Sequence, residues 1–254
     1  MSALNIVVTG DDFGQSIDTN IQIEYCHRNG ILSSTSLVAN GAAFDDAVKI
    51  VMRNPTLGVG VHLALDTFMP LYREMSSIID PQTRLFYSHT SAKNKIKTFQ
   101  CRDSDLVREY SLQVEKVLDS GISITHLDHH HHLHLYWPPL RAMIIVAKKY
   151  NIRYIRSQKL ILPSRQKIFF NKLYRHIHQL YLRSRAATAD GYFDIDNEFE
   201  KTYNRIIQLI NSNYRIVEVV SHPSLKNNHE VTLLTNRNVI NLIRSCKLVH
   251  FGAI

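Results

Sequence analysis

The sequence predicts a parallel α/β fold that closes, or nearly closes, into a barrel. Short apolar runs rich in β-branched residues alternate with helical patterns over most of the 254 residues. Side chains that can bind a metal or transfer a proton follow directly after several of these runs. We therefore expect a single domain over residues 1–254, with irregular insertions near 67–102 and 160–197 that break the alternation.

The first predicted strand, residues 4–9, is continuous and β-branched, which is typical of a strand buried on both faces. A helix over 17–29 follows, with Ile17, Ile21 and Tyr25 on one face and Gly30 as its end. A second amphipathic helix turns four side chains inward, namely Leu106, Tyr110, Val114 and Val117. The further expected strands are 34–39, 57–63, 122–127, 153–155, 216–220 and the apolar run 248–251, and the further helices are 44–53, 103–120 (which carries those four side chains), 140–150, 203–210 and 239–246.

The composition is that of a globular protein. Hydrophobic residues make up 44% of the chain, and only 9 glycines and 7 prolines are present. Cys26, Cys101 and Cys246 show no metal-type spacing, which favours a reducing compartment over a disulfide framework. We expect a cytoplasmic protein, because the N-terminus lacks a basic leader and no apolar run reaches the ~20 residues of a membrane span.

The positive charge is unevenly distributed. The formal net charge is +8, yet residues 129–189 contain no Asp or Glu, and twelve Lys or Arg lie between Arg141 and Arg185. Within this block, 165–185 combines basic residues with an apolar helical face. Three interpretations remain open: an ordinary surface helix, a contact with an anionic membrane, and a site for an anionic sugar or nucleic acid.

Polar residues cluster at the ends of four predicted strands. Asp11 and Asp12 follow the first strand, His62 ends the strand over 57–63, and a histidine run follows 122–127. His222 comes after 216–220. Because the carboxyl ends of parallel strands share one face, these segments are expected to converge on one cleft.

These residue types suit metal-assisted hydrolysis. One carboxylate and two imidazoles leave coordination positions open for water and substrate, and Asp12, His62 and one histidine of the run could supply them. Adjacent strand-end residues point in different directions, so Asp11 is free to act as the general base. His222 could protonate the leaving group.

The histidine run itself has competing interpretations. It is internal and follows a strand, which argues against a purification tag, although a solvated loop without function remains an alternative. Six histidines between Thr125 and Pro139 cannot all be ligands. The remaining members, which are His126, His131, His132 and His134, are expected to support the ligands, face substrate or pack in the interior.

Several segments together resemble the YdjC-like carbohydrate deacetylases. TGDDFG at 9–14 is similar to the family's (N/T)-A-D-D-F-G opening, and THLDHHHHLH at 125–134 is similar to its T-H-(L/I)-D-S-H-H-H-x-H. NGILSSTSLV at 29–38, GVGVHL at 58–63 and EVVSHP at 218–223 match further family motifs in the same order.

The resemblance implies a distorted TIM-like (β/α) barrel that uses a divalent metal to remove an N-acetyl group from a sugar. It implies that Asp12, His62 and His130 bind the metal and that Asp11 is the general base. His222 is implied as an acid or an oxyanion-stabilising group. His129 stands where the family usually has Ser, so it remains the alternative to His130 as third ligand.

We expect the cofactor to be Mg²⁺ or Zn²⁺ and the substrate to be an N-acetylated sugar that is anionic or lipid-linked. Arg156, which follows a short strand, and His132 are the expected substrate-binding residues. Segment 165–185 is the candidate membrane contact, no nucleic acid is expected, and a homodimer is the default assembly.

Three other functions fit parts of the sequence. A different metallohydrolase, such as an amidohydrolase or a phosphoesterase, would use the same scaffold. A non-haem iron oxygenase shares the two-His-one-carboxylate set but leaves Asp11 without a role. A nucleic-acid binder would use the basic block and leave the strand-end acids and histidines unexplained.

Overall fold

The structure is a computed structural model that describes residues 4–74, 76–161 and 172–254. Its strands are β1 (Asn5–Phe13), β2 (Ser34–Leu37), β3 (Gly58–Leu63), β4 (Ile124–His129), β5 (Tyr154–Ile155), β6 (Gly191–Asp194), β7 (Ile216–Ser221) and β8 (Lys247–Leu248). Its α-helices are α1 (Ile17–Asn29), α2 (Phe44–Met52), α3 (His89–Lys97), α4 (Asp103–Asp119), α5 (Trp137–Lys149), α6 (Lys172–Arg183), α7 (Phe199–Ile210), α8 (Asn228–Leu234) and α9 (Arg237–Ile243). Two 3-10 helices cover His130–Leu135 and Phe251–Ala253.

The strands form one parallel sheet. Its order is β5-β4-β3-β2-β1-β7-β6, with β8 paired to the start of β1. Isolated parallel bridges flank the outer strands: Tyr154 of β5 pairs with Ala187, which precedes β6, and Tyr192 of β6 pairs with Leu160, which follows β5. The sheet therefore returns on itself through irregular pairing, and the predicted distorted TIM-like barrel is confirmed.

The barrel is formed by strands that are apolar on both faces, as parallel sheets covered by helices require. In β1, Ile6, Val7 and Val8 have no exposed surface. The four predicted inward side chains of α4 are likewise fully buried. This packing fixes the strand ends that carry the polar residues.

The face predicted for α1 was wrong. Ile17 and Ile21 are each 52% exposed, and α1 packs on the barrel through a face that includes Ile23 and Asn20. The amide of Asn20 accepts a hydrogen bond from the backbone N–H of Gly14 and donates to the carbonyl of Ala43. A polar side chain thus binds the loop after β1, which a search for apolar periodicity cannot detect.

The two irregular segments contain secondary structure that the sequence did not predict. The segment between β3 and α4 contains α3, and the segment after β5 contains β6, whereas α6 in that segment falls within the helical pattern expected over 165–185. Helix α8, which follows β7, was not predicted either. Residues 162–171 lie outside the described residues, so only part of the predicted basic helix over 165–185 can be compared. Among the described residues, no helix combines the length and apolarity needed to cross a bilayer.

Candidate active site and metal-binding cluster

The two carboxylates that end β1 point in different directions. The pairing of β1 with β2 is irregular between Gly10 and Phe13, and Asp12 has a left-handed backbone with φ of 65°. Asp11 faces the interior with 1% of its side chain exposed, whereas Asp12 is 18% exposed. A left-handed non-glycine residue costs conformational energy, which is typical of residues held in place for a functional arrangement.

Asp12 meets two histidines from other strands. Its Oδ1 lies 2.9 Å from Nδ1 of His130 and 3.4 Å from Nε2 of His62. These three side chains, which we call the central cluster, offer one oxygen and two nitrogens within reach of a single cation. Burial opposes ionisation of Asp12, but the hydrogen bonds from both imidazoles hold its pKa well below the usual value.

A further carboxylate orients His62. The ring Nδ1 of His62 lies 2.8 Å from Oδ1 of Asp128, which leaves Nε2 turned toward Asp12. Ser36 donates to the other oxygen of Asp128 at 2.6 Å. Burial opposes the charged form of His62, yet Asp128 and Asp11 raise its pKa well above the usual value. A carboxylate behind a ligand histidine is a common arrangement in metal sites, because it fixes the ring and its tautomer.

Arg156 binds three carboxylates beneath the central cluster. Its Nη1 and Nη2 lie 2.7 and 2.8 Å from the two oxygens of Asp11, which is a bidentate pair. The guanidinium also contacts Asp128 at 2.6 Å and Glu218 at 2.9 Å. A buried charge is tolerated only with such partners, so Arg156 fixes the orientation of Asp11 and Asp128.

The donor set suits a divalent cation. Three carboxylates, those of Asp11, Asp128 and Glu218, contact one guanidinium, Asp12 adds a fourth carboxylate that contacts His130, and burial raises the pKa of Glu218. A divalent ion at the central cluster would offset the excess negative charge, and its oxygen and two nitrogens are ligands that Zn²⁺ accepts.

Successive side chains of the histidine run point in different directions because the backbone of the run has an unusual geometry. His131 and His132 both have left-handed conformations, with φ of 53° and 52°. His130 therefore turns to Asp12, while His131 turns to Asp66, 2.9 Å away. His129 is fully buried and its Nδ1 lies 2.6 Å from the carbonyl oxygen of His130. Burial lowers the pKa of His129 to about 3, so it is a neutral interior group outside the central cluster.

Two other histidines of this region pack in the interior. Burial lowers the pKa of His126 to about 4, and its Nε2 lies 3.1 Å from the hydroxyl of Ser36. Gly60 makes room for this ring, because a Cβ there would lie 2.4 Å from its atoms. His134 is also fully buried, and burial lowers its pKa well below the usual value.

Of the central cluster, Asp12 borders a cleft with a volume of about 260 Å³ that is also lined by Asp11 and His222. Nε2 of His222 lies 3.9 Å from Oδ2 of Asp11, and its side chain is 37% exposed. Its backbone N–H donates to Glu230 at 2.6 Å, which ties the end of β7 to α8. The structure thus brings together five predicted residues: Asp11, Asp12, His62, His130 and His222.

The two predicted substrate-binding residues lie elsewhere. We expected Arg156 to face the cleft, but its side chain is fully buried because three carboxylates take up its hydrogen-bond donors. That orientation was therefore wrong. His132 is half-buried beside β6, with Nε2 3.9 Å from Oδ1 of Asp194 and its ring 5.8 Å from that of Tyr192.

Sequence reasoning gave no role to Asp128 and Glu218. Both were present in the compared motifs: Glu218 interrupts the apolar run of β7, and Asp128 directly follows the predicted strand 122–127 and is fully buried. Such a residue needs a buried partner, and that requirement was a usable signal. Their common partner, Arg156, could not be inferred, because the contact joins residues up to 145 positions apart.

Several known proteins are similar to this chain. A carbohydrate deacetylase of Brevibacillus brevis is 26% identical over 221 residues, which cover 87% of this chain and 82% of that protein. A carbohydrate deacetylase of Listeria monocytogenes is 33% identical over 149 residues, or 59% of each chain.

Solved structures show the same fold. An Enterococcus faecalis protein, described as a candidate cellobiose-phosphate cleavage protein, superposes with a TM-score of 0.83 at 21% identity, covering 99% of both chains. A carbohydrate esterase family 4 domain of a xylanase from the hindgut metagenome of Trinervitermes trinervoides has a TM-score of 0.50 at 13% identity, covering 98% of this chain and 87% of that one. The model of the YdjC-like protein family matches residues 5–245. The chain therefore belongs to the YdjC family.

Proposed function

We propose that this protein is a metal-dependent hydrolase that removes the N-acetyl group from an amino-sugar substrate and releases acetate. The observation that carries the proposal is the central cluster, whose Asp12 lines one cleft together with an arginine-bound carboxylate, Asp11. The activity of the relatives from Brevibacillus brevis and Listeria monocytogenes, both carbohydrate deacetylases, supports the same reaction.

Asp12, His62 and His130 would hold the divalent cation. Two imidazoles favour Zn²⁺ or a similar metal over Mg²⁺, which prefers oxygen ligands. When bound, the cation acts as a Lewis acid that polarises the acetamide carbonyl and lowers the pKa of a coordinated water.

Asp11 would act as the general base. It lines the cleft beside Asp12, and the bidentate contact with Arg156 holds its carboxylate in one orientation. The carboxylate would remove the proton from the attacking water. Arg156 donates to one lone pair on each oxygen of Asp11, and the second lone pair of each oxygen remains for the cleft.

His222 would act as the acid that protonates the leaving nitrogen. Its partly exposed ring can approach the leaving nitrogen, and the 3.9 Å separation from Asp11 allows a proton to pass between them through one water. Protonation of that nitrogen allows the tetrahedral intermediate to collapse to acetate and a free amine. His132 lies toward β6 and would contact a more distant part of the substrate.

The volume of the cleft suits a substrate of which one sugar unit enters it. Its volume of about 260 Å³ is near the lower end of ligand pockets, which begin at roughly 300 Å³. Lys226 also lines the cleft and would favour an anionic group on the substrate.

The test is acetate release from free N-acetylglucosamine, chitobiose, a nucleotide sugar and an N-acetylglucosaminyl lipid. Each is assayed with Zn²⁺ or Mg²⁺, with chelator, and with Asp11→Ala. Acetate release that needs metal and disappears in the variant is the expected result. Phosphate release from a phosphorylated sugar without any acetate would replace the proposal with a phosphoesterase.

We also propose that α6 contacts an anionic membrane surface. This helix packs inward through His178, Gln179 and Leu182, and its opposite face exposes Leu173, Ile177 and Leu180. Arg183 and Arg185 follow at its C-terminal end, so an apolar face lies beside basic groups, as in interfacial helices.

Flotation with liposomes tests this contact. Wild-type protein should float with vesicles of acidic lipid and not with neutral ones, and Ile177→Ser/Leu180→Ser should abolish flotation. Leu225→Ser, which changes a side chain that is 69% exposed outside α6, is the matched control and should float normally. Equal, negligible flotation with both lipids would contradict the contact.

A further inference from the structure

We propose a second metal site at the solvent-exposed rim of the strand ends, formed by Asp66, His89 and His131. These three side chains, which we call the rim cluster, place one carboxylate oxygen and two imidazole nitrogens within 4.8 Å of one another. The site would take a single divalent cation with affinity for nitrogen ligands, such as Zn²⁺. The inference goes beyond the proposed hydrolase, because it concerns cation binding whatever reaction the cleft performs.

The rim cluster repeats the geometry of the central cluster. In each, one carboxylate oxygen faces two imidazole nitrogens: Oδ2 of Asp66 lies 2.9 Å from Nδ1 of His131 and directly contacts Nδ1 of His89. The rings of His89 and His131 meet edge to face, with centroids 4.5 Å apart. Two nitrogens directed at one oxygen can open slightly around a cation, whose bonds to such atoms are roughly 2.0–2.2 Å long.

The surroundings allow a cation to enter. The carboxylate of Asp66 is fully buried, which fixes its position, whereas the side chains of His89 and His131 are 40% and 43% exposed. Their exposure provides the entry path that a metal site needs and leaves room for water as further ligands.

The two other groupings of acidic and histidine side chains in the described residues are different. Asp11 with His62 and Asp128, and His126 with Asp128 and Glu218, are also close enough to share an ion. Arg156 already binds the carboxylates in both, and all of their side chains are buried. The guanidinium of Arg156 therefore already supplies the positive charge in these two groupings. The rim cluster has no Lys or Arg partner among the contacts of the described residues.

Each ligand of the rim cluster comes from a different part of the chain. Asp66 follows β3, His131 lies in the 3-10 helix after β4, and His89 is the first residue of α3. A cation would therefore tie α3, which belongs to the irregular segment, to the mouth of the barrel. The left-handed backbone of His131 directs its ring to this site, whereas the ring of His130 belongs to the central cluster.

Zinc counting on the full chain tests the proposal. The protein is stripped with chelator, equilibrated with Zn²⁺ alone, desalted and analysed by elemental mass spectrometry. Wild-type protein should hold two equivalents, and His89→Ala and Asp12→Ala should each hold one. The double variant should hold none. Wild-type protein with one equivalent, or His89→Ala with two, would overturn the proposal.

Two further variants separate a specific site from general histidine binding. His229→Ala removes a histidine of similar exposure, 37%, outside the rim cluster and should keep two equivalents. Asp66→Asn keeps an oxygen that can accept both imidazole hydrogen bonds but removes the charge, and should lose one equivalent. Loss of zinc in His229→Ala, or two equivalents in Asp66→Asn, would contradict the assignment.

Hydrogen exchange tests whether a cation at the rim cluster links α3 to the barrel. Zinc should slow exchange of the α3 amides in wild-type protein and in Asp12→Ala, where only the rim cluster can bind. His89→Ala should show no such change, and circular dichroism confirms that it is folded. Unchanged α3 exchange in Asp12→Ala would contradict the tie between α3 and the barrel.

Discussion

The central and rim clusters contain the same three residue types but differ in their surroundings. In the central cluster, Asp128 fixes His62 from behind, and Arg156 joins Asp128 to Asp11. In the rim cluster, the two histidines are about 40% exposed, and within the described part of the chain their carboxylate contacts neither an arginine nor a second carboxylate. The two clusters thus differ in the groups that orient the ligands and in the neighbouring carboxylate of Asp11, and for this reason we expect only the central cluster to be reactive.

Asp12→Ala is expected to have the largest effect on activity. It removes the oxygen that both imidazoles of the central cluster face, so acetate release should fall by more than the roughly 10²–10⁴-fold that a general base contributes. Activity is measured in excess Zn²⁺, so that the rim cluster of Asp12→Ala still binds its ion. Substantial activity in Asp12→Ala would mean that the rim cluster, and not the central cluster, supports the reaction.

Asp11→Asn separates the base from metal binding. The amide keeps the shape of the carboxylate but accepts no proton at neutral pH, so kcat should fall about 10²–10⁴-fold. Zinc content should remain at the wild-type value, because Asp11 is not part of the central cluster. If kcat stays within a few-fold of wild type, the base is another group in the cleft.

Asp128→Asn tests the orienting network directly. The amide oxygen can still accept from His62, but the negative charge that supports the ring is lost. Loss of a carboxylate behind a ligand histidine typically lowers metal affinity about 10–100-fold. Competition with a chromogenic chelator should show this loss at the central cluster alone. An equal loss at the rim cluster would indicate a general distortion of the strand ends.

The polar strand ends could be predicted because they follow apolar runs in the sequence, and the topology then brings them together. The central cluster was found in this way, since Asp12, His62 and His130 each belong to a segment with a clear pattern. The rim cluster was not found, because His89 lies in an irregular segment whose position the alternation of strands and helices does not determine.

The interior network marks a second limit of sequence reasoning. Arg156 was counted in the basic block and expected to bind substrate because it follows a short strand, yet in space it contacts only acidic partners among the charged groups of the described residues. Its role depends on contacts between β1, β4, β7 and the residue after β5, which only the folded barrel defines. The local charge of the sequence predicts the electrostatic field around a surface helix. It cannot show which Lys or Arg of a basic block is buried.

Glu24→Gln is expected to have the smallest effect and provides the reference for both clusters. Glu24 lies on α1 and binds Arg53 at 2.5 Å and Arg28 at 2.9 Å, outside both clusters. The hydrogen bond from Arg53 lowers the pKa of Glu24 from 4.5 to about 2. The stabilisation is therefore fully present above pH ~4.5 and is lost as the pH falls toward 2.

Because the arginine partners are largely exposed, the stabilisation by Glu24 should amount to at most about 1 kcal/mol. Thermal unfolding of Glu24→Gln should show a Tm lower by roughly 2–4 °C at neutral pH, and the difference from wild type should shrink below pH ~4. Acetate release and zinc content should be unchanged. A loss of activity as large as that of Asp128→Asn would mean that changes on the outer helices reach the strand ends. In that case the effects of the cluster variants could not be assigned to the clusters themselves.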